Sequence, residues 1–373
     1  MLVGPQATGK SVCLQTLKLL IDRNHIHDAF AHHSMVFNGD SEGFLGAFYG
    51  KGMASAWKDT SSLTWKGKAV TLPELARPTN ARQRAEQLFF IPAQRVMAFA
   101  SGVTQNFGQF NYGDPYTLRY FSHVLHELVQ NEFGAKADLF PQSNRLNSDL
   151  RRPIETHLFG GSKLVVDTSE FTKRLELKVP GHRQTLPYTA WSAGQREFTP
   201  LLLGLYWLCP GGANQRRQAL DWVVLEEPEM GLHPQGIAAV LLLVLELLRR
   251  GYRVVLSTHS TVVLDLVWAL QEFKALGADE QDVRQLFDLR ANPATRELSQ
   301  AALNRDYRVY YFGRDIPVAD ISSLDPGGSE PGFEDWGGLA GFSNRTNAAI
   351  AQAVNRAAAR PAVRKPRRSK ATA

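Results

Sequence analysis

The sequence of 373 residues contains only two cysteines, Cys13 and Cys209. Two cysteines are too few for the disulfide framework that stabilises many secreted proteins. Both lie in apolar stretches with helical spacing, so we interpret them as reduced side chains of the core. The low cysteine content therefore favours a cytoplasmic protein.

Long hydrophobic runs are also missing. The longest apolar stretches are residues 198–209 and 236–248, and the second contains Glu246. Both are shorter than the roughly 20 residues that cross a bilayer. Residues 1–6 do not combine a basic segment with an apolar one, as a signal peptide does. We therefore expect no signal peptide, no membrane contact and no transport function within this chain.

Acidic residues are absent from the last 18 residues, 356–373, which contain seven basic ones. These seven charges outweigh the net charge of +6, so the rest of the chain is close to neutral. Their combination with alanine and proline predicts a disordered basic tail. Two interpretations remain open, a contact with the phosphate backbone of a nucleic acid and a purely solubilising tail. The remaining residues, 1–355, have the mixed composition of a globular domain.

The most specific motif follows a short apolar segment, residues 1–3. The sequence GPQATGKS matches G-x-x-x-x-G-K-[ST] at every position, and an amphipathic helix is predicted after it, over residues 10–24. In such a loop, backbone N–H groups and the helix N-terminus surround phosphates, the lysine contacts the β- and γ-phosphates, and the serine binds Mg²⁺. The alternative is a chance glycine-rich turn. The predicted phosphate-binding residues are Gly4, Pro5, Gln6, Ala7, Thr8, Gly9, Lys10 and Ser11.

Two adjacent carboxylates, Glu226 and Glu227, directly follow the apolar run 222–225. A buried parallel strand of this kind presents such residues at its carboxyl end, where ligands bind. We predict that Glu226 holds the Mg²⁺ shell and that Glu227 is the general base for the attacking water. A solvated acidic turn is the alternative. Strands of this kind usually carry aspartate at the first position, and the extra methylene moves the carboxylate by about 1.5 Å.

Two weaker motifs flank these carboxylates. His259 ends the next predicted strand and would emerge at the same sheet edge, where it can donate a hydrogen bond to the γ-phosphate, although a lone histidine is often incidental. Upstream, Ser192 and the N–H groups of Gly194 and Gln195 open a predicted helix and form a candidate second anion site. A serine followed by small residues is common at helix starts. Its position one helix before the carboxylate strand supports the functional interpretation.

The remaining pattern predicts an α/β protein with a mostly parallel sheet covered by helices. A helical insert is expected over about 112–160, with Asp114 as the N-cap of its first helix. An antiparallel lobe is expected from two strands that follow it. The further predictions are strands 34–37, 164–167, 174–179, 222–225, 253–256 and 307–312, helices 115–132, 144–158, 195–208, 236–249, 261–276 and 346–355, and loops 43–52 and 326–341.

Together the motifs resemble the ABC-type ATPases. Residues 226–234, EEPEMGLHP, are similar to the E-E-P-E-x-x-L-H-P segment of AAA-family ATPases related to the overcoming-lysogenization-defect (OLD) proteins. Residues 89–95, FFIPAQR, are similar to the I-P-A-x-R segment of that branch, where ABC proteins place the Q-loop. The resemblance covers residues 1–15 and roughly 186–263. It implies that Gln94 contacts the nucleotide, Mg²⁺ or its water.

The resemblance also implies ATP and Mg²⁺ as cofactors and a head-to-tail homodimer. In that dimer, Ser192 and Gly194 of one chain close over the ATP held by Lys10 of the other. Hydrolysis would be an in-line attack by water, with Glu227 as base and His259 as sensor of the γ-phosphate. The implied role is regulation of a separate effector, plausibly a nuclease in anti-phage or plasmid defence. An ATP-gated scaffold with little turnover and a DNA-repair ATPase are the alternatives.

The sequence departs from this family in two respects. The family's sheet begins with strands before the phosphate loop, whereas only residues 1–3 precede it here, so the adenine contacts are unassigned. The 114 residues after His259 contain no D-x-D pair, so we expect no Toprim nuclease among them. A long coiled coil is also missing between Lys10 and Ser192, which argues against a chromosome-maintenance ATPase.

Overall fold

The structure is a computed structural model that describes residues 1–53, 57, 61–133, 138–168, 172–211, 216–314, 316–324 and 341–358. The strands are β1 (Leu2–Val3), β2 (Thr64–Trp65), β3 (Lys68–Ala69), β4 (Leu88–Ile91), β5 (Phe99–Ala100), β6 (Val103–Thr104), β7 (Asp138–Phe140), β8 (Lys163–Asp167), β9 (Arg174–Lys178), β10 (Leu186–Pro187), β11 (Trp222–Glu226), β12 (Arg253–Ser257), β13 (Tyr310–Tyr311) and β14 (Ala319–Asp320). The helices are α1 (Lys10–His32), α2 (Ser41–Tyr49), α3 (Leu72–Leu75), α4 (Tyr116–Glu127), α5 (Ser148–His157), α6 (Ala193–Leu208), α7 (Pro234–Arg249), α8 (Thr261–Ala275), α9 (Glu280–Leu286), α10 (Pro293–Leu303) and α11 (Gly341–Ala358).

The central layer is a six-stranded sheet in the order β14-β13-β1-β12-β11-β4. The pairs β13-β1, β1-β12, β12-β11 and β11-β4 are parallel, and β14 is antiparallel to β13. Val223, Val224 and Leu225 are all buried, as expected for a parallel strand with helices on both faces. The predicted α/β class with a mostly parallel sheet is therefore confirmed. Glu226 pairs with Ser257, so both strands end at the same edge.

A second sheet of four strands, in the order β10-β9-β8-β7, is antiparallel. Its pair β8-β9 confirms the two strands predicted for the antiparallel lobe. Strand β7 lies between α4 and α5, so the segment predicted as a helical insert also contains a strand of this sheet. Phe121, Leu125 and Ile154 of these two helices belong to the same core cluster as the central sheet. The two helices therefore help to form the main core.

Several predictions between residues 10 and 52 were wrong. Helix α1 continues to His32, eight residues beyond the predicted end, with non-helical φ/ψ angles of −112° and 24° at Asp22. The predicted strand 34–37 is an irregular segment after α1. The predicted loop 43–52 is mostly helix α2, because Phe44 and Phe48, one turn apart, pack into a core cluster.

Smaller corrections concern single residues. Asp114 is not the N-cap of α4, since Pro115 occupies that position, while the Asp114 side chain accepts a hydrogen bond from the Asn111 N–H at 2.7 Å. Cys13 is exposed, so it is not a core residue, whereas Cys209 is buried as predicted. Helical spacing places a residue on a helix without saying which face is covered, and this explains the error at Cys13.

At the C-terminal end, α11 runs over Gly341–Ala358 and exceeds the predicted helix 346–355 at both ends. The predicted boundary between domain and tail, after residue 355, therefore falls inside a helix. Residues 326–340 of the predicted loop and residues 359–373 of the predicted tail lie outside the described residues. Strand β13 is shorter than the predicted strand 307–312. None of the helices in the described ranges combines the length and hydropathy that a membrane crossing requires.

Candidate functional site

The phosphate loop connects the end of β1 to the start of α1. Gly4 has a φ of 133°, and a Cβ atom there would lie 2.2 Å from the carbonyl oxygen of Phe312 on the neighbouring chain segment. Gly9, the N-cap of α1, has a φ of 92°. Both values lie in the region that favours glycine. The two glycines of the motif are therefore required by the backbone path of the loop itself.

Lys10 lies across this loop. Its Nζ donates hydrogen bonds to the carbonyl oxygens of Gly4 at 2.8 Å and Pro5 at 2.6 Å. The Thr8 hydroxyl donates to the same Pro5 oxygen at 2.9 Å. Burial lowers the pKa of Lys10, and the nearby carboxylate of Glu227 opposes this shift. The lysine charge is thus held beside both the loop and the second carboxylate of the predicted pair.

Glu226 is the last residue of β11 and is only 2% exposed. One carboxylate oxygen, Oε2, accepts a hydrogen bond from the Ala93 N–H at 3.2 Å, and the Ser11 side chain also hydrogen-bonds this carboxylate. Burial raises the pKa of Glu226 to about 7. The other oxygen, Oε1, is buried and has no hydrogen-bond partner among the described residues.

These two predicted metal residues fit a magnesium ion. Mg²⁺ prefers hard oxygen ligands, and a carboxylate in contact with a hydroxyl supplies them. A buried carboxylate oxygen without a hydrogen bond is costly, and a cation would satisfy it. Ser11 and Glu226 would hold the ion. Within the described residues, no group of three or more histidine, cysteine or acidic side chains forms a further candidate metal site.

Glu227 leaves the strand conformation, with a φ of 43°. Its Oε1 lies 3.4 Å from Nε2 of His259, which follows β12. Because the backbone turns at Glu227, the alternation of side chains along a strand does not determine where the Glu227 side chain points. Both side chains line a pocket of about 270 Å³ with residues of the phosphate loop and the first turn of α1. The other lining residues are Gln6, Ala7, Thr8, Gly9, Lys10, Ser11 and Val12.

The predicted second anion site does not belong to the pocket beside the phosphate loop. Ser192 is the N-cap of α6, and its Oγ accepts a hydrogen bond from the Gln195 N–H at 3.2 Å. The Ser192 N–H in turn donates to Oε1 of Gln195 at 3.0 Å. The residues lining the pocket do not include Ser192, Gly194 or Gln195. Gln94 is exposed and does not line it either, although its neighbour Ala93 contacts Glu226.

Sequence reasoning missed two residues, Glu229 and Arg95. Oε1 of Glu229 accepts hydrogen bonds from the Thr258 hydroxyl and the His259 N–H, both at 2.7 Å, and so fixes the start of the loop that carries His259. Arg95 is fully buried and binds the carbonyl oxygens of Glu226 and Glu227, both at 3.1 Å. Glu229 lies in the motif 226–234 and Arg95 in the motif 89–95. Their place in these motifs is the sequence signal by which they could have been identified.

A phosphate-loop motif between a central parallel strand and a helix, beside the ends of two further strands, defines a P-loop ATPase fold. Residues 84–265 match the sequence model of a family described as "AAA domain, putative AbiEii toxin, Type IV TA system". The match begins just before β4 and ends within α8, so it includes Glu227 and His259. It supports an ATP-binding domain of the AAA type. No curated protein matches the sequence.

Proposed function

We propose that this protein is a Mg²⁺-dependent ATPase that hydrolyses ATP in the pocket beside the phosphate loop. The observation that carries the proposal is the convergence of Glu227 and His259 on the pocket lined by Lys10. Lys10 begins α1, Glu227 follows β11 and His259 follows β12, so the three residues come from separate elements. A pocket that combines a phosphate loop with a carboxylate and an imidazole suits phosphoryl transfer to water better than simple nucleotide storage.

Each side chain has a chemical role in this proposal. Lys10 binds the β- and γ-phosphates, and Ser11 and Glu226 would hold Mg²⁺, which would supply further positive charge to the phosphates. Glu227 orients a water molecule and accepts its proton as the water oxygen attacks the γ-phosphorus. The bond to the bridging oxygen breaks, and ADP leaves with the electron pair. His259 donates a hydrogen bond to a γ-phosphate oxygen.

We further propose that the active form is a head-to-tail dimer of the ABC type. Ser192, at the start of α6, is exposed and does not line the pocket of its own chain. This exposure leaves it free to meet the nucleotide held by a second chain. Gly194 would bring the helix backbone close to that nucleotide. The resemblance to ABC-type ATPases is the second support for this arrangement.

The biological role that we propose is regulation of a separate effector, a nuclease, in anti-phage or plasmid defence. The support is the similarity of residues 226–234 to the OLD-related branch, together with the toxin-antitoxin description of the matching family.

The test is ATP turnover by the full chain, measured with Mg²⁺ or with a chelator, over a range of protein concentrations. We expect turnover that requires Mg²⁺ and rises more steeply than linearly with concentration, because two chains form each site. His259→Asn should lower turnover, whereas His157→Asn, an exposed histidine on α5, should not.

Two other outcomes would favour the alternatives. ATP binding without turnover at any concentration would refute the ATPase and favour a nucleotide-gated scaffold. Strong stimulation of turnover by DNA would favour a DNA-repair ATPase over the regulator of a separate effector. A linear concentration dependence would contradict the dimer while leaving the ATPase intact.

A further inference from the structure

Arg95, which lies four residues after the end of β4, makes three hydrogen bonds to main-chain carbonyl oxygens from a fully buried position. Its Nε donates to the oxygen of Glu197 on α6, Nη1 to that of Glu226 and Nη2 to that of Glu227, each at 3.1 Å. A guanidinium group holds its donors in a fixed planar fork. The three carbonyl groups, from two separate elements, are therefore held in one geometry.

The charge of Arg95 is balanced by glutamates of the same two elements. Its Nη2 lies 3.9 Å from Oε2 of Glu197, an oxygen without a hydrogen-bond partner among the described residues. Burial lowers the pKa of Arg95, and the carboxylates of Glu197, Glu229, Glu227 and Glu226 oppose this shift. A buried cation is costly unless it is paired and hydrogen-bonded. The hydrogen bonds and the nearby carboxylates therefore stabilise the Arg95 side chain in this buried position.

The turn after Glu227 also packs tightly against α6. Gly231 has a φ of 72°, and a Cβ atom there would lie 3.0 Å from Cγ of Glu197. A Cβ atom on Gly194 would lie 3.1 Å from the carbonyl oxygen of Gly231. The two segments therefore leave little room for a side chain at either glycine. The first turns of α6 and the turn that carries Glu227 thus pack closely against each other, so a displacement of one would act on the other.

We infer that Arg95 is a positioning residue for Glu227 and couples it to the N-terminal end of α6. The inference rests on the proposed ATPase and goes beyond it by naming how the site is regulated. Glu227 has a φ of 43°, in the left-handed region that few non-glycine residues adopt. Arg95 helps to hold this conformation through the Glu227 carbonyl. When the Ser192 end of α6 docks on a second chain, the same fork holds the Glu227 carboxylate where it can orient the attacking water and accept its proton.

The test is Arg95→Lys in the full chain, assayed separately for nucleotide affinity and turnover. An ammonium group cannot reproduce three bonds in a planar fork, so Glu227 should shift. We expect kcat to fall by about 10- to 100-fold, since a misplacement of about 1 Å can cost about 100-fold in rate. The ATP dissociation constant should change by less than about threefold, because Arg95 does not line the pocket.

Arg145→Lys is the matched control. Arg145 is also buried, donates to a main-chain oxygen of α6, that of Tyr206, at 2.6 Å and pairs with Glu132 at 2.8 Å. It acts at the opposite end of the helix. Its substitution should lower the melting temperature in a similar way and leave kcat unchanged. A loss of kcat in this control equal to that in Arg95→Lys would reduce the effect to general destabilisation and overturn the inference.

Glu197→Gln is the second variant and serves if Arg95→Lys fails to fold. It removes the charge 3.9 Å from Arg95 and keeps the main-chain contact. We expect a smaller fall in kcat, of about three- to tenfold, with unchanged ATP affinity. Unchanged kcat in this variant and in any folded Arg95→Lys protein would overturn the inference and leave the proposed ATPase intact. A wild-type protein that binds ATP without turnover would refute the proposed function and, with it, the inference.

Discussion

Two helices of this protein begin at predicted anion sites, and their first turns are built differently. At α1 the N-cap is Gly9, which has no side chain to accept a hydrogen bond from the helix. At α6 the N-cap is Ser192, and a reciprocal capping box with Gln195 uses a first-turn N–H of the helix itself. The first N–H groups of a helix need acceptors. An external phosphate suits α1, whereas α6 already supplies its own acceptor.

The surroundings of the two helix starts also differ, since charged side chains and a pocket are found at α1 and an exposed surface at α6. Around the start of α1 lie the ammonium group of Lys10, the Ser11 hydroxyl and the carboxylates of Glu226 and Glu227. The start of α6 is exposed at Ser192 and lies outside the pocket. We therefore expect changes near α1 to affect nucleotide binding and chemistry within one chain. Changes at the start of α6 should affect the meeting of two chains.

The largest expected effect is that of Glu227→Gln, which tests whether the α1 pocket performs hydrolysis. The amide keeps the shape of the side chain and removes the base, so turnover should fall by about 10²–10⁴-fold. ATP affinity should be retained. Trapped ATP should also hold the α6 start of a second chain, giving a dimer by light scattering with ATP and Mg²⁺.

Glu272→Gln, an exposed position on α8, is the matched control for this substitution. It should leave turnover and molecular mass as in the wild type. A Glu227→Gln protein that remains monomeric and hydrolyses ATP at the wild-type rate would show that the assigned carboxylate role is wrong. It would also remove the reason to place α6 over a second chain's nucleotide.

Lys10→Ala should weaken ATP binding by about 10- to 100-fold, because a charged hydrogen bond contributes about 1.5–3 kcal/mol. The measurement is titration calorimetry with ATP and Mg²⁺. Lys66→Ala, at an exposed position in the turn between β2 and β3, should bind ATP normally. Equal affinity in the Lys10 variant and the wild type would mean that the α1 start is not the phosphate site.

Ser192→Ala removes the cap of α6 and tests whether the start of this helix contributes to the proposed dimer site. Loss of an N-cap costs about 0.5–2 kcal/mol of stability, visible as a lower denaturation midpoint. ATP affinity measured on dilute protein should not change, whereas turnover at high concentration should fall. Asn147→Ala removes an equivalent cap, to the Leu150 N–H at the start of α5, and should lower stability only. The same turnover in both variants would exclude a specific role for Ser192.

Truncation after Ala358 should have the smallest effect. This end point keeps the whole of α11 and removes only residues 359–373. Basal ATP turnover should remain within about twofold, since the described part of the site lies between residues 4 and 259. DNA affinity that is lost on truncation and falls with salt in the full chain would show a phosphate-binding tail. A large loss of basal turnover would contradict this separation of tail and site.

Prediction from sequence succeeded where the periodicity was strong and uninterrupted. Strands β11 and β12 and helix α7 were predicted to within two residues, because each is a dense apolar run bounded by polar residues. It failed for the second half of α1, where polar and histidine residues follow the irregular backbone at Asp22. It failed for α2 because glycine and aromatic residues suggested a loop, whereas tertiary packing of the aromatic side chains favours the helix.

The phosphate loop, the two carboxylates and the histidine can be recognised from the sequence alone, because each is a local pattern of residue types at fixed spacing. The three-dimensional fold was needed to show that Glu227 and His259 share a pocket with Lys10, while Ser192 and Gln94 lie outside it. The register of the sheet brings Arg95 against the carbonyl oxygens of Glu226 and Glu227, more than 130 positions along the chain. Such contacts depend on which strands pair and where the backbone turns, and local patterns do not contain that information.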